Sequence, residues 1–319
     1  SGARVDELAG AQSIRDVIAE DAERVRSGHL QADCASRFFP SQRAGPSCGV
    51  VLMFHGFAGG AFQCDDVGQA LAADGLHVFV PRLAGHGAQL RGGDRGANEM
   101  PLSHETDLYA ATARRAMHAA APLAESDHVG LGAFGFSLGG SLALDLALHY
   151  PQTVERLMLA APLLKEASMH ARRLHLALHV GKHLGLQRLY NVISHAWGPT
   201  PAAAERMPGH WRFRLGNLYA ALSYARQVHQ DSMALTVPTQ VVISEGDRMC
   251  DQRQAEDFLR HCDKAHWLYA FRQAEHVPHV MLSRREKSPP QAVKQIAAIA
   301  SLFFRAGVGQ NSDLRGVLE

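Results

Sequence analysis

The chain has 319 residues, 46% of them hydrophobic and 20% charged, and a formal net charge of +1. A near-neutral chain without a long basic run argues against nucleic acid as a partner, and no stretch of about 18 apolar residues is available to cross a bilayer. The length suits one large domain, or a core with an added cap, and gives ample surface to bury.

The first 40 residues read as an N-terminal helical appendage: Val5, Leu8, Ile14, Val17 and Ile18 recur among acids and arginines, and an extended piece follows over Cys34–Phe39. A core unit over residues 41–162 comes next. Gly49–Phe54 is a continuous apolar run, as expected of a strand buried on both faces. Asp65–Ala73 predicts a helix ended by Gly75, His77–Pro81 a strand, Glu105–Ala121 a long helix, His128–Phe134 a strand, Ser141–Leu148 a buried helix stopped by Pro151, and Arg156–Ala161 another strand.

Residues 163–235 break this alternation. They are helical in pattern and rich in Leu, Ala, His and aromatics, among them Tyr190, Trp197, Trp211, Phe213 and Tyr219. An insertion of that length between strands predicts a cap over the strands' carboxyl ends, where open α/β sheets bind ligands. Core structure resumes over 236–319, with strands at Thr239–Ser244 and Trp267–Phe271, a helix over Gln252–Leu259, a closing amphipathic helix from Pro290 to Arg305, and a poorly packed tail from Gly307. Strands alternating with helices imply an α/β fold: a mostly parallel central sheet, helices on both faces and a helical cap insertion.

Gly135-Phe136-Ser137-Leu138-Gly139 carries the chemistry. A G-x-S-x-G run between a buried strand and a buried helix predicts a sharp turn that holds a serine hydroxyl clear of the sheet. A serine needs a base, and the base needs an orienting acid, in the chain order Ser, acid, His. Asp247, just beyond the strand ending at Ser244, is the expected acid, with Glu245 in reserve and Asp251 assigned to the start of the following helix. His276, the first histidine after the last strand, is the expected base, and His279 is the runner-up. The oxyanion hole needs two backbone N–H donors; Leu138, after the nucleophile, and Phe57, in the loop His55-Gly56-Phe57-Ala58-Gly59-Gly60, are the expected pair.

Taken together, from about Gly49 to Arg305, these landmarks resemble the α/β-hydrolase superfamily. Within it the chain is most similar to bacterial carboxylesterases and monoacylglycerol lipases, on the further strength of Pro81-Arg82-Leu83-Ala84-Gly85-His86-Gly87, Gly246-Asp247-Arg248-Met249-Cys250-Asp251 and His276-Val277-Pro278-His279. The resemblance implies a triad of Ser137, Asp247 and His276 that cleaves carboxylic esters through an acyl-enzyme, without a cofactor. A serine nucleophile argues against the related dehalogenases and epoxide hydrolases. Two departures stand out: Phe136 occupies a position where many lipases of this group have His, Tyr or Gln, and the cap sequence matches none of them.

The expected substrate is a small or medium-chain apolar ester, monoacylglycerol-like. An acyltransferase on the same triad and a non-catalytic ligand-binding protein are the alternatives. His175, His179 and His183 share one helix face, a spacing zinc could use. With no carboxylate or Cys a turn away, no metal is expected, and the face reads as the polar flank of an amphipathic helix whose core stripe is Leu176, Val180 and Leu184. Contact with a lipid surface through the cap is a weaker expectation. Cys34, Cys48, Cys64, Cys250 and Cys262 contain no C-x-x-C pair and are expected as buried small hydrophobes, the alternative being a bridge from Cys34 or Cys48 to Cys64. A cytoplasmic setting is expected ahead of a periplasmic or secreted one, which a leader removed before Ser1 or paired cysteines would favour.

Overall fold

The structure, a computed structural model, describes residues 13–89, 99–165, 169–184, 186, 193–195, 208–210, 212–247, 249–250, 252–262 and 265–306. The expectations for Val5, Leu8, Tyr190, Trp197, Trp211, Asp251 and the tail from Gly307 fall outside the described residues.

Among these residues the main sheet has seven strands: β1 (Arg37–Phe39), β2 (Val50–Phe54), β3 (His77–Val80), β4 (Leu131–Phe136), β5 (Val154–Ala160), β8 (Thr239–Ser244) and β9 (His266–Phe271). Their order is β1-β3-β2-β4-β5-β8-β9, parallel throughout except for the antiparallel edge strand β1. The continuous apolar runs are the central strands: every residue of β2, β4 and β8 is buried, as helices on both faces of a parallel sheet require.

Side chains alternate between two cores. Val50, Leu52 and Phe54 pack with α3 (Asp107–Asp127) and α4 (Leu138–His149), whereas Val51 and Met53 pack with α2 (Asp65–Ala73) and α8 (Pro290–Arg305). The chain leaves β2 toward β3 and then crosses back to lay β4 on the other side of β2. The strand order therefore reverses between β2 and β4, and their carboxyl ends diverge into a crevice. The loop His55–Gly60 and the turn at Ser137 open from those two ends, in a register that pairs Phe54 with Gly135.

Helix α3 runs on to Asp127 where the pattern stopped at Ala121. Pro122 removes one backbone donor, and the turn beyond it still buries Ala124 in the core. Before the sheet, α1 (Ile14–Arg26) buries Ile14 and Val17 against the same core. Its buried Asp21 accepts hydrogen bonds from Ser36 N–H at 2.8 Å, Ser36 Oγ at 2.6 Å and Arg82 Nε at 2.9 Å, fixing the Pro81–Gly87 turn to the helix.

Between β5 and β8 the inserted segment holds α5 (Met169–His183), α6 (Leu215–Gln230) and a two-stranded hairpin of β6 (Ile193–His195) and β7 (Arg212–Arg214), which the helical pattern did not predict. Helix α6 is anchored by polar contacts: Tyr224 Oη donates to Asp145 Oδ2 on α4 at 2.8 Å, and the buried Asn217 amide donates to the carbonyls of Met100 and Pro101. Helix α5 turns the opposite way from expectation. His175 and Leu178 are buried against α6, and Leu176 and Leu184 are 62% and 68% exposed. His175 faces inward, where Ser223 Oγ on α6 meets its Nε2 at 3.1 Å, while His179 stays exposed and its Nδ1 meets Tyr219 Oη at 2.9 Å. All five cysteines are free thiols, so the Cys34 or Cys48 bridge to Cys64 is not formed. Burial pushes the Cys34 thiol up to about 12 and Cys64 higher still, consistent with packing and not reactivity. No helix among the described residues is long and apolar enough to cross a membrane.

Candidate active site

Ser137 sits between β4 and α4 with φ 53° and ψ −118°, a backbone conformation that costs a non-glycine residue energy. The surroundings leave no other path. Ser137 N–H donates to Ala160 O at 3.0 Å, and its carbonyl accepts from Gly140 N–H and Leu163 N–H, both at 2.9 Å. A Cβ on Gly135 would lie 2.2 Å from Gly139 O, and one on Gly139 would lie 2.2 Å from Phe54 O. Both glycines are therefore steric requirements of the elbow, and they bring the first turn of α4 directly against the end of β2.

Asp247 follows β8, with its side chain 2% exposed. Its Oδ1 accepts from the N–H groups of Met249 and Cys250 at 2.7 and 3.2 Å, which turns Oδ2 toward the last loop. There Oδ2 meets His279 Nδ1 at 2.7 Å, and His279 Nε2 lies 3.0 Å from Ser137 Oγ. With Nδ1–H donating to the carboxylate, Nε2 is left to accept the serine proton, as a base requires. Phe136 packs against the His279 ring at a centroid distance of 5.2 Å, filling the place where the resemblance had led to a polar residue.

The expected base, His276, is not at the site. After β9 the chain makes a 3₁₀ turn over Gln273–Glu275 that ends on His276 in the left-handed region, φ 51°, with its side chain exposed. Val277 then plunges into the core, and its carbonyl accepts from Ser244 Oγ at 2.7 Å. The chain thus needs three more residues before it faces Ser137. Buried Met281 and Leu282 hold the far side of His279, and that apolar run after the histidine is the sequence signal that favours His279 over His276. Glu245, the reserve acid, points elsewhere and accepts from Gln273 N–H.

Leu138 is buried as the first residue of α4, and Phe57 is half-buried beside the end of β2. The loop His55–Gly60 rests on histidines whose contacts the sequence did not disclose. His55 Nε2 accepts from Leu83 N–H at 3.1 Å, so its Nδ1–H donates to Gly56 O at 2.9 Å. His210 N–H donates to Ala58 O at 2.7 Å, and its Nε2 accepts from Gly87 N–H at 3.0 Å. Burial drives His55 and His210 down to about 4 and His86, lying between them, well below its ordinary value, so all three are neutral. The His-Gly and Gly-His-Gly runs were the available signal.

Asp247, Cys250 and His279 place donor atoms within 4.8 Å of one another, the one such group among the described residues. Asp247 and His279 are already bonded to each other, and the Cys250 thiol, held protonated by burial, donates to Ala161 O at 3.0 Å. The arrangement is that of a proton relay beside a packed thiol.

A parallel sheet with helices on both faces, an elbow serine at the strand-order reversal and a following Asp-His relay define a serine hydrolase of the α/β-hydrolase fold. Residues 45–280 match the model of the Hydrolase_4 family, described as serine aminopeptidase, S33, and the chain belongs to that family. It is similar to a monoacylglycerol lipase of Mycolicibacterium smegmatis, 26% identical over 212 residues that make up 63% of this chain and 71% of that protein. Two solved structures share the fold. A soluble variant of monoglyceride lipase from Saccharomyces cerevisiae superposes with a TM-score of 0.65 at 14% identity, covering 85% of this chain and 90% of that one. The monoacylglycerol lipase of Paleococcus ferrophilus does so with a TM-score of 0.61 at 14% identity, covering 85% and 97%.

Proposed function

We propose that the protein hydrolyses carboxylic esters of small or medium chain length, monoacylglycerols among them, through an acyl-enzyme on Ser137. The unbroken chain Ser137 Oγ, His279 Nε2, His279 Nδ1, Asp247 Oδ2, with contacts of 3.0 and 2.7 Å, carries the reading. His279 takes the serine proton as Oγ attacks the ester carbonyl, and Asp247 fixes the tautomer and stabilises the imidazolium. The Leu138 and Phe57 N–H groups receive the oxyanion. His279 then protonates the leaving alcohol, and a water it activates releases the acid.

The choice of substrate rests on what stands above the site. The described part of the segment between β5 and β8 acts as a cap: Phe213 packs edge-on against Phe57 at 5.0 Å, and Met100, Phe213, Leu218 and Leu222 form an apolar cluster that reaches Phe57, Ala58, Leu163 and Leu174. Such a lining suits an acyl chain or an apolar alcohol, and the similarity to monoacylglycerol lipases points the same way.

Initial rates on p-nitrophenyl esters of increasing acyl length, on monoacylglycerols and on aminoacyl p-nitroanilides test the reading, with Ser137→Ala as control. An optimum at short or medium esters, abolished in the variant, is the expected result. Preference for the anilides would move the substrate to amides, and product formed only with an added alcohol acceptor would make the enzyme an acyltransferase.

A further inference from the structure

The loop that supplies the Phe57 N–H and the segment that supplies His279 come from opposite ends of the chain, and one side-chain amide joins them. Gln63, 4% exposed in the 3₁₀ turn Ala61–Cys64, accepts from Gly56 N–H through Oε1 at 3.0 Å. Its Nε2 donates to both carboxylate oxygens of Glu286, at 3.0 and 3.1 Å. A flipped amide would set Nε2 against Gly56 N–H and Oε1 against the carboxylate, so both ends fix its orientation. Gly59 lies on the same amide, where a Cβ would come within 2.2 Å of Oε1. Gln63 thus grips the oxyanion loop on both sides of Phe57 and Ala58.

Glu286 is held firmly enough to transmit position. It ends the 3₁₀ turn Arg284–Glu286, seven residues after His279. Its neighbours clamp that turn to the body: Arg284 N–H and Nε both bind Asp66 at 2.8 Å, and Arg285 makes a two-pronged pair with Asp33 at 2.9 and 3.1 Å. The titratable and charged groups around the Glu286 carboxylate are His279 and Arg285 on its own segment and the protonated Cys64 thiol beside Gln63, with Asp33, Asp65 and Asp66 behind the arginines.

We propose that Glu286 is a positioning residue of the hydrolytic reaction: through Gln63 it couples the oxyanion loop to the His279 segment. The inference rests on Ser137, His279 and Asp247 acting as proposed above. Burial holds the Glu286 carboxyl up at about 7, against the opposing pull of the Gln63 hydrogen bond and the His279 and Arg285 charges. The ionised carboxylate is the form in which both oxygens accept from Gln63 Nε2. Placement of the oxyanion loop is tied to that ionisation in this way.

The test measures kcat, KM and the rate of Ser137 labelling by a fluorophosphonate from pH 5 to 9, for wild type, Glu286→Gln, Glu286→Ala, Gln63→Leu and the Gln63→Leu/Glu286→Ala double variant, with thermal melts to establish folding. Glu286→Gln keeps an acceptor for Gln63 and loses the charge; its acid limb is expected to move down by about half a pH unit while kcat changes less than about threefold. Glu286→Ala and Gln63→Leu should each lower kcat roughly tenfold with little change in KM, and the double variant should be no worse than either single. Independent, multiplying losses, or a Glu286→Gln acid limb that coincides with wild type, would overturn the coupling. Wild type that fails to label at Ser137 would overturn the nucleophile reading as well, whereas normal labelling with unaltered profiles in the variants removes the coupling alone.

Discussion

The elbow at Ser137 and the loop that delivers His279 are both turns at the carboxyl end of a parallel strand, and they are specified in different ways. The elbow is fixed by exclusion. A Cβ on Gly135 or Gly139 would lie 2.2 Å from a backbone oxygen, and the serine between them is held at φ 53°. The base loop is fixed by attraction: Val277 is pinned by Ser244 Oγ, Met281 and Leu282 are buried, and Asp247 waits for whichever imidazole the chain presents. Steric exclusion is written in a short run of residues. Attraction depends on partners dozens of positions away, and that is why the elbow is legible in its own sequence and the histidine that faces Ser137 is not.

The comparison breaks most sharply at the two histidines. His279→Ala should lower kcat by about 10⁴- to 10⁶-fold, whereas His276→Ala should leave it within about threefold, since an exposed turn residue with no contact to Ser137 has nothing to lose. Equal losses would return the base to His276. Gly139→Ala tests the exclusion side. Its methyl meets the Phe54 carbonyl, and a loss of more than about 3 kcal/mol in folding stability, or an inactive folded protein with a displaced α4, is expected by denaturant titration and labelling of Ser137.

Helix α5 carries the same contrast. Leu178→Ala should cost about 2–3 kcal/mol, whereas Leu176→Ala, on the exposed face of the same helix, should stay within about 0.5 kcal/mol. Thermal melts of the two variants check this inversion of the apolar stripe. The smallest effect is graded with pH. His55, His86 and His210 are neutral when folded, with ionisation depressed below the unfolded value of about 6.5. Between about pH 6.5 and 4 the unfolded chain binds protons that the native state does not. Their contribution is therefore complete above that window and is lost as pH falls through it. The melting temperature should drop progressively below about pH 6.5, and the slope should lessen in His210→Asn.

Much of the architecture is legible along the chain because its causes are local. Strand β8 and helices α2 and α8 lie where apolar runs and a proline or glycine boundary place them. The chain order of serine, acid and histidine follows from a relay in which each group must reach the next. The placement of Asp247 was legible too, because an Asp three residues past a strand end sits where a turn can aim one carboxylate oxygen at the last loop while Met249 and Cys250 hold the other.

The tertiary structure alone decided the rest. It chose His279 because only a chain anchored at Val277 and Met281 presents that ring to Ser137. It turned His175 inward and Leu176 outward because a hydroxyl on α6 lay opposite that imidazole. It joined Gln63 to Glu286 across 223 positions of sequence. Periodicity and steric limits act between neighbours and survive in one dimension, whereas hydrogen-bond partners and buried anchors are chosen by whatever the fold sets opposite them.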